Sequence, residues 1–169
     1  RANNLKELSE IITFLQENGI IDVESLEAFV SERNATVNSK KKVLDTQTAE
    51  MKELQRLPEA WDTYKRLKPV ADNLRSIKFT KAKEKYKAEH KTELNQFYAA
   101  NRLMTKYFPD GKYNGKAIQS RYAELKQHHD VDYAAFKGLR EETQILWKIK
   151  THIDAALKTR EKESAHARE

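Results

Sequence analysis

Residues 23–57, VESLEAFVSERNATVNSKKKVLDTQTAEMKELQRL, decide the fold. Val30, Val37, Leu44 and Met51 recur every seven residues, with Phe29, Val43, Leu54 and Leu57 beside them and polar residues between. A seven-residue apolar period held over five turns or more is the pattern of a helix packed lengthwise on another helix. The alternate core positions are Arg33, Lys40 and Gln47, so the seam is not an ideal zipper. That favours packing within the chain over a free two-stranded coil. The start is marked too. Asp22 can cap the first free amides, Glu24 suits the positive end of the helix dipole, and Ile21 and Leu26 occupy staple positions across the cap.

A matching stripe lies near the other end of the chain: Ile118/Tyr122, Leu125/His129, Phe136, Leu139, Leu146 and Ile153/Leu157. It predicts a second long helix over Lys116–Lys158, on the order of 60 Å in length. Its start is expected at Asn114, with Tyr113 and Ile118 at staple positions. Gly138 weakens the middle of it by about 1 kcal/mol relative to alanine. Beyond Leu157 the only apolar residues are alanines, which predicts a frayed charged tail over 159–169.

Between the two lie shorter elements. Leu5, Leu8, Ile12 and Leu15 share a face that ends at Gly19. Pro58 is expected to open a new turn and Pro69 to interrupt again, leaving Trp61, Tyr64 and Leu67 on one face and short or bent helix over Leu67–Ile77. Thr80 can cap a helix carrying Tyr86, and Leu94, Phe97, Tyr98, Leu103 and Met104 mark another. Phe108-Pro109-Asp110-Gly111 is a turn. The expected fold is all-α: an elongated domain over residues 1–158, with two long antiparallel coiled-coil-like helices and shorter helices packed between them.

Composition agrees. The 169 residues are 38% apolar and 34% charged, with four glycines and three prolines, which suits long solvated helices. The absence of cysteine excludes disulfides and thiolate metal sites. No apolar run approaches the roughly 18 residues needed to span a membrane. The chain opens at Arg1 and reads as a piece of a longer protein. Asn34-Ala35-Thr36 matches the glycosylation triplet but sits inside the helical pattern.

Charge is localised. Lys65–Lys91 holds ten Lys or Arg against Asp72, Glu84 and Glu89, a net of +7 in a chain of +6, so the rest sums to −1. The candidate polyanion site is Lys78, Phe79, Lys81, Lys83, Lys85, Tyr86, Lys87, His90 and Lys91. On a helix, Lys78, Lys81 and Lys85 share one face and Lys83, Lys87 and Lys91 another. Counterion release drives phosphate binding at such a surface, and an exposed Phe79 or Tyr86 can stack on an unpaired base. The competing reading is a solvated lysine face with both rings buried. Lys40-Lys41-Lys42 is a smaller cluster, read as the outer face of a long helix.

Catalytic constellations are not found. His128, His129, Asp130 and Asp132 suggest a metal at first sight, but only His128 and Asp132 share a face, and structural zinc wants four nitrogen or sulfur ligands. Tyr64, Tyr122 and Tyr133 sit on helical stripes and read as packing residues. Nothing resembles a phosphate loop, a carboxylate pair or a Ser/His/Asp set. No cofactor or metal is expected, and the fragment is read as non-enzymatic.

Several short motifs then carry a resemblance. They are Asn4-Leu5-Lys6 with Leu15-Gln16-Glu17-Asn18-Gly19, Lys85-Tyr86 with Glu89-His90, Tyr122-Ala123-Glu124-Leu125, Tyr133, Lys150, and Ile153-Asp154-Ala155-Ala156-Leu157. In this order the chain resembles the C-terminal helical region of relaxases from integrative conjugative elements and mobilisable plasmids, over nearly its whole length. It departs from them at Glu59-Ala60-Trp61-Asp62 before Tyr64, where they carry a basic Lys-Thr-Arg step, and at Phe79-Thr80-Lys81, where they carry Gly-Tyr-Ser. The resemblance implies a bacterial cytoplasmic protein that nicks a transfer origin through an upstream metal-dependent domain and is exported with the strand by type IV secretion. This region would contact transfer-origin DNA, dock the type IV coupling ATPase, or both. The alternative is a protein–protein module or secretion signal without nucleic-acid binding. Self-association is left open.

Overall fold

The computed structural model describes the backbone of residues 2–166 and the side chains of residues 9–160. Five helices and no strand occur among the described residues: α1 (Ala2–Glu17), α2 (Val23–Ser76), α3 (Thr80–Glu89), α4 (Lys91–Tyr107) and α5 (Gly115–His166). The protein is all-α, with the two long helices α2 and α5 packed against each other. It divides into two compact units, 1–44 with 130–169 and 45–129, and both long helices contribute to each.

Unit 1 is built on the seven-residue pattern. Val30 and Leu44 are buried, and Arg33, Val37 and Lys40 are half-buried at the alternating core positions. From α5, Phe136 and Leu139 are half-buried while Thr143 and Leu146 are buried. Leu26, Val30 and Leu146 form one cluster with Ile20, against which Phe14, Leu15, Phe29 and Ile153 pack. The α1 face therefore closes on the start of α2; its Leu5 and Leu8 lie outside the described side chains. The α1 end is a Schellman stop. Gly19 adopts φ +66°, its N–H donates to Gln16 O at 3.1 Å, and Ile20 N–H donates to Leu15 O at 2.8 Å. The α2 cap forms as expected. Ser25 N–H donates to Asp22 Oδ1 at 2.7 Å, and Asp22 N–H donates back to Ser25 Oγ at 3.1 Å. The serine hydroxyl and amide together hold the Asp22 carboxyl below its ordinary value. The staple does not form, because Leu26 turns inward while Ile21 is 89% exposed.

In unit 2 the prolines correct the sequence reading. α2 runs unbroken through Pro58 and Pro69 to Ser76. Each proline removes one helical hydrogen bond, at a cost of about 3 kcal/mol. Both rings lie on the exposed face, where water can serve the freed carbonyls, while Leu54, Leu57, Leu67 and Ala71 on the other face are buried. Each buried leucine contributes roughly 1.5–3 kcal/mol, which outweighs the local penalty.

Leu54 and Leu57 join Met104, Ile118 and Leu125 in one core, and Leu67, Ala71 and Leu74 join Leu94 and Phe97 in another. An aromatic series links them: Tyr113 stacks on Trp61 at 5.1 Å, Trp61 on Tyr64 at 5.8 Å, and Tyr64 on Phe97 at 5.4 Å. Tyr64 and Tyr113 thus belong to the packing, as does Tyr122, whose hydroxyl accepts from Gln55 Nε2 at 3.0 Å. The turn before α5 closes with Gly111 N–H on Phe108 O at 2.9 Å, Gly111 standing at φ +73°. Asn114 caps α5, its Oδ1 accepting from Ala117 N–H at 3.1 Å, and Tyr113 and Ile118 join the same core as their staple positions require. α5 itself continues to His166, through residues expected in the charged tail. No described helix is long and apolar enough to cross a membrane.

Candidate polyanion-binding surface

The surface is built where α2 ends and α3 begins. Ser76 closes α2, and Lys78 and Phe79 lie in the short link to α3. Lys81, Lys83, Lys85, Tyr86 and Lys87 stand on α3, His90 is the joint between α3 and α4, and Lys91 opens α4. Thr80, expected as a cap, is instead the first helical residue. Phe79 takes the cap position with φ −86° and ψ 123°, and no side chain bonds the free amides.

α3 has no buried residue. Its inward side is Lys83, Tyr86 and the His90 joint, all half-buried, while Lys81, Lys85, Lys87 and Lys91 are exposed. Tyr86 is committed to packing. Its hydroxyl donates to Val70 O at 3.3 Å, its ring lies 4.2 Å from that of His90, and it packs against the Leu67–Leu74 cluster. His90 in turn pairs through Nδ1 with Glu93 Oε2. Phe79 is free: it is 80% exposed. Of the two rings named from sequence, only Phe79 is presented for stacking.

Ion pairing divides the basic region in two. On α2, Lys65 pairs with Asp62 at 3.0 Å, and Asp72 serves both Lys68 and Arg75. The hydrogen bond to Asp72 raises Lys68 above its ordinary value. On and beside α3, only Lys85 has a carboxylate, Glu89 at 3.9 Å, and both are largely exposed. Lys78, Lys81, Lys83, Lys87 and Lys91 pair with no acid among the described residues. The net charge of the 65–91 segment is thus carried outward mainly by α3 and its flanks.

Beside these lysines the structure adds residues that sequence reasoning did not assign to the site. A cleft of about 180 Å³ is lined by Leu74, Lys87, Lys91, Leu94, Asn95 and Tyr98. Its apolar floor comes from α2 and α4, and its rim carries two of the unpaired ammonium groups. Lys87, Lys91, Leu94 and Tyr98 were each visible in sequence. The partner that closes the cleft, Leu74, comes from a different helix and has no local signal.

Elsewhere, His129 is half-buried with Nε2 3.3 Å from Thr48 Oγ1, while His128 is exposed. No group of three or more His, Asp or Glu converges as a metal site among the described residues. No protein-family model, curated protein or solved structure matches this chain.

Proposed function

We propose that this chain is the non-catalytic C-terminal helical region of a conjugative relaxase, and that it binds transfer-origin DNA through the Lys78–Lys91 surface. One observation carries the reading: five lysines on and beside α3 pair with no acid among the described residues, whereas Lys65, Lys68 and Arg75 at the adjoining end of α2 each have an acidic partner within the fold. A lysine face serving only solubility has no need for that division. The exposed Phe79 and the cleft at Tyr98 place apolar surface among the ammonium groups, which suits bases alongside a phosphate backbone. The relaxase context rests on the sequence resemblance, and docking to the type IV coupling ATPase belongs to the same reading.

The test is fluorescence anisotropy of single- and double-stranded DNA at two salt concentrations. The chain should bind at micromolar strength or better. The triple variant Lys81→Glu, Lys85→Glu, Lys87→Glu should weaken binding and lower the slope of log K against log salt by about 2–3. Unchanged affinity and slope would remove α3 from the interface. No binding at all would favour the rival reading, a protein–protein or secretion module. That reading draws on the exposed Val131 and Ile145 of α5.

A further inference from the structure

On α4, Lys91, Leu94, Asn95 and Tyr98 fall at i, i+3, i+4 and i+7 and so share one helical face. Leu94 is buried in the cluster that holds Leu74 and Phe97, which sets that face against the core edge. Leu74 from α2 and Lys87 from α3 complete with them the cleft of about 180 Å³. Phe97, itself buried, meets the Tyr98 ring edge-on at 5.6 Å and braces it, while Tyr98 stays 43% exposed. Three helices of unit 2 thus converge on one small concavity.

Its chemistry is mixed. The floor is Leu74 and Leu94, each only 4% exposed. The Asn95 amide, which can donate and accept, and the Tyr98 hydroxyl make no hydrogen bond among the described residues. Lys87 and Lys91 pair with no acid among them either, and no acid lines the cleft. The acids nearest in sequence are directed elsewhere, Glu89 toward Lys85 and Glu93 to His90. The volume falls below the roughly 300 Å³ at which pockets for whole drug-sized ligands begin. One flat ring is the scale that suits it.

We infer that this cleft seats one unpaired nucleotide: its base lies on the leucine floor beside the Tyr98 ring, its base edge meets Asn95, and its phosphate meets Lys87 and Lys91. Stacking on an aromatic ring and ammonium contact to phosphate are the two usual holds on an unpaired strand. A side-chain amide adds a contact that differs from base to base. An acidic peptide would engage the lysines and leave the amide unused. A duplex keeps its base faces stacked inside, so the cleft favours single strands. The nucleotide can be free or one link of a strand. The inference rests on the polyanion reading of α3 and gives that surface its strandedness.

The test compares the full chain with Tyr98→Leu, Tyr98→Phe and Asn95→Leu, after melting curves show which variants fold. Anisotropy is read with single-stranded dA, dC and dT oligomers and with a duplex of equal length. Tyr98→Leu should weaken single-strand binding about 5- to 100-fold and duplex binding less than about 2-fold, while Tyr98→Phe keeps the parent's affinity. Asn95→Leu should narrow the spread of affinities among the three oligomers. Equal losses on single strand and duplex, no loss in Tyr98→Leu, or an unchanged spread in Asn95→Leu overturns the proposal. A titration with free deoxyadenosine monophosphate, followed by amide NMR shifts, tests the cleft without a strand. Saturable shifts at Leu94, Asn95 and Tyr98 that Tyr98→Leu abolishes support it. Their absence, or stronger shifts from an acidic peptide carrying phenylalanine, overturns it. Failure of the parent to bind any DNA would sink the α3 reading, and the mononucleotide titration would still decide the cleft.

Discussion

Tyr107 donates its hydroxyl hydrogen to Glu53 Oε2 at 2.6 Å, joining the last turn of α4 to α2, and Lys106 pairs with the same carboxylate. Hydrogen bonds from Lys106 and then Tyr107 hold the Glu53 carboxyl below its ordinary value. Burial and the bond to Glu53 push the Tyr107 phenol up. A carboxyl depressed in the folded state contributes stability above its unfolded value of 4.5, and that stability is lost as pH falls through the folded value. Glu53→Gln should therefore flatten the acid limb of stability against pH below 4.5, as read by urea unfolding at several pH values. An acid limb identical to the parent's would show that Glu53 is not part of it. At pH 7, Tyr107→Phe should cost about 1 kcal/mol.

Pro58 stands on the exposed face of α2, where alanine would restore the amide that can bond the Leu54 carbonyl. Pro58→Ala should raise stability by about 1–3 kcal/mol, measured by chemical denaturation. A destabilised variant would mean that the proline itself sets a helix bend on which the neighbouring core depends.

Leu57 has no exposed surface and sits among Leu54, Met104, Ile118 and Leu125. Leu57→Ala should cost about 2–5 kcal/mol in the same assay, whereas exposed Ile21→Ala should stay within about 0.5 kcal/mol of the parent. Comparable losses at both positions would contradict the packing described for α2.

Phe79 separates binding from folding. Because its ring is 80% exposed, Phe79→Ala should leave the melting curve within about 0.5 kcal/mol of the parent. If the ring stacks on a base, the same change should weaken binding of single-stranded DNA by about 1–3 kcal/mol and that of duplex DNA less. Equal affinities of variant and parent for single strands would remove the ring from the contact.

The long-range pattern was readable wherever the physics is periodic. Val30, Val37, Leu44 and Met51, alternating with Arg33, Lys40 and Gln47, announce the seam. All of these core positions are buried or half-buried in the fold. Asp22, Gly19 and Asn114 mark ends because capping needs only neighbours in sequence. The continuity of α2 through Pro58 and Pro69 was not readable. The penalty is local, while the burial that overrides it comes from α4 and α5. Ion pairing was equally hidden. Lys68–Asp72 and Lys85–Glu89 share the same four-residue spacing, yet Asp72 closes firmly on Lys68 whereas the second pair stands 3.9 Å apart in the open. Spacing brings charges within reach; whether they meet depends on surroundings that only the folded chain supplies.

α3 has no buried side chain and is held inward chiefly by the Tyr86 ring against α2. A segment moored at so few points opens at a lower free energy than the cores that flank it. Its amides should exchange with solvent well ahead of those around Leu57 or Leu94. Any anion that settles across its lysines would slow that exchange, so occupancy could be read from the kinetics of this one short helix without a label on the ligand.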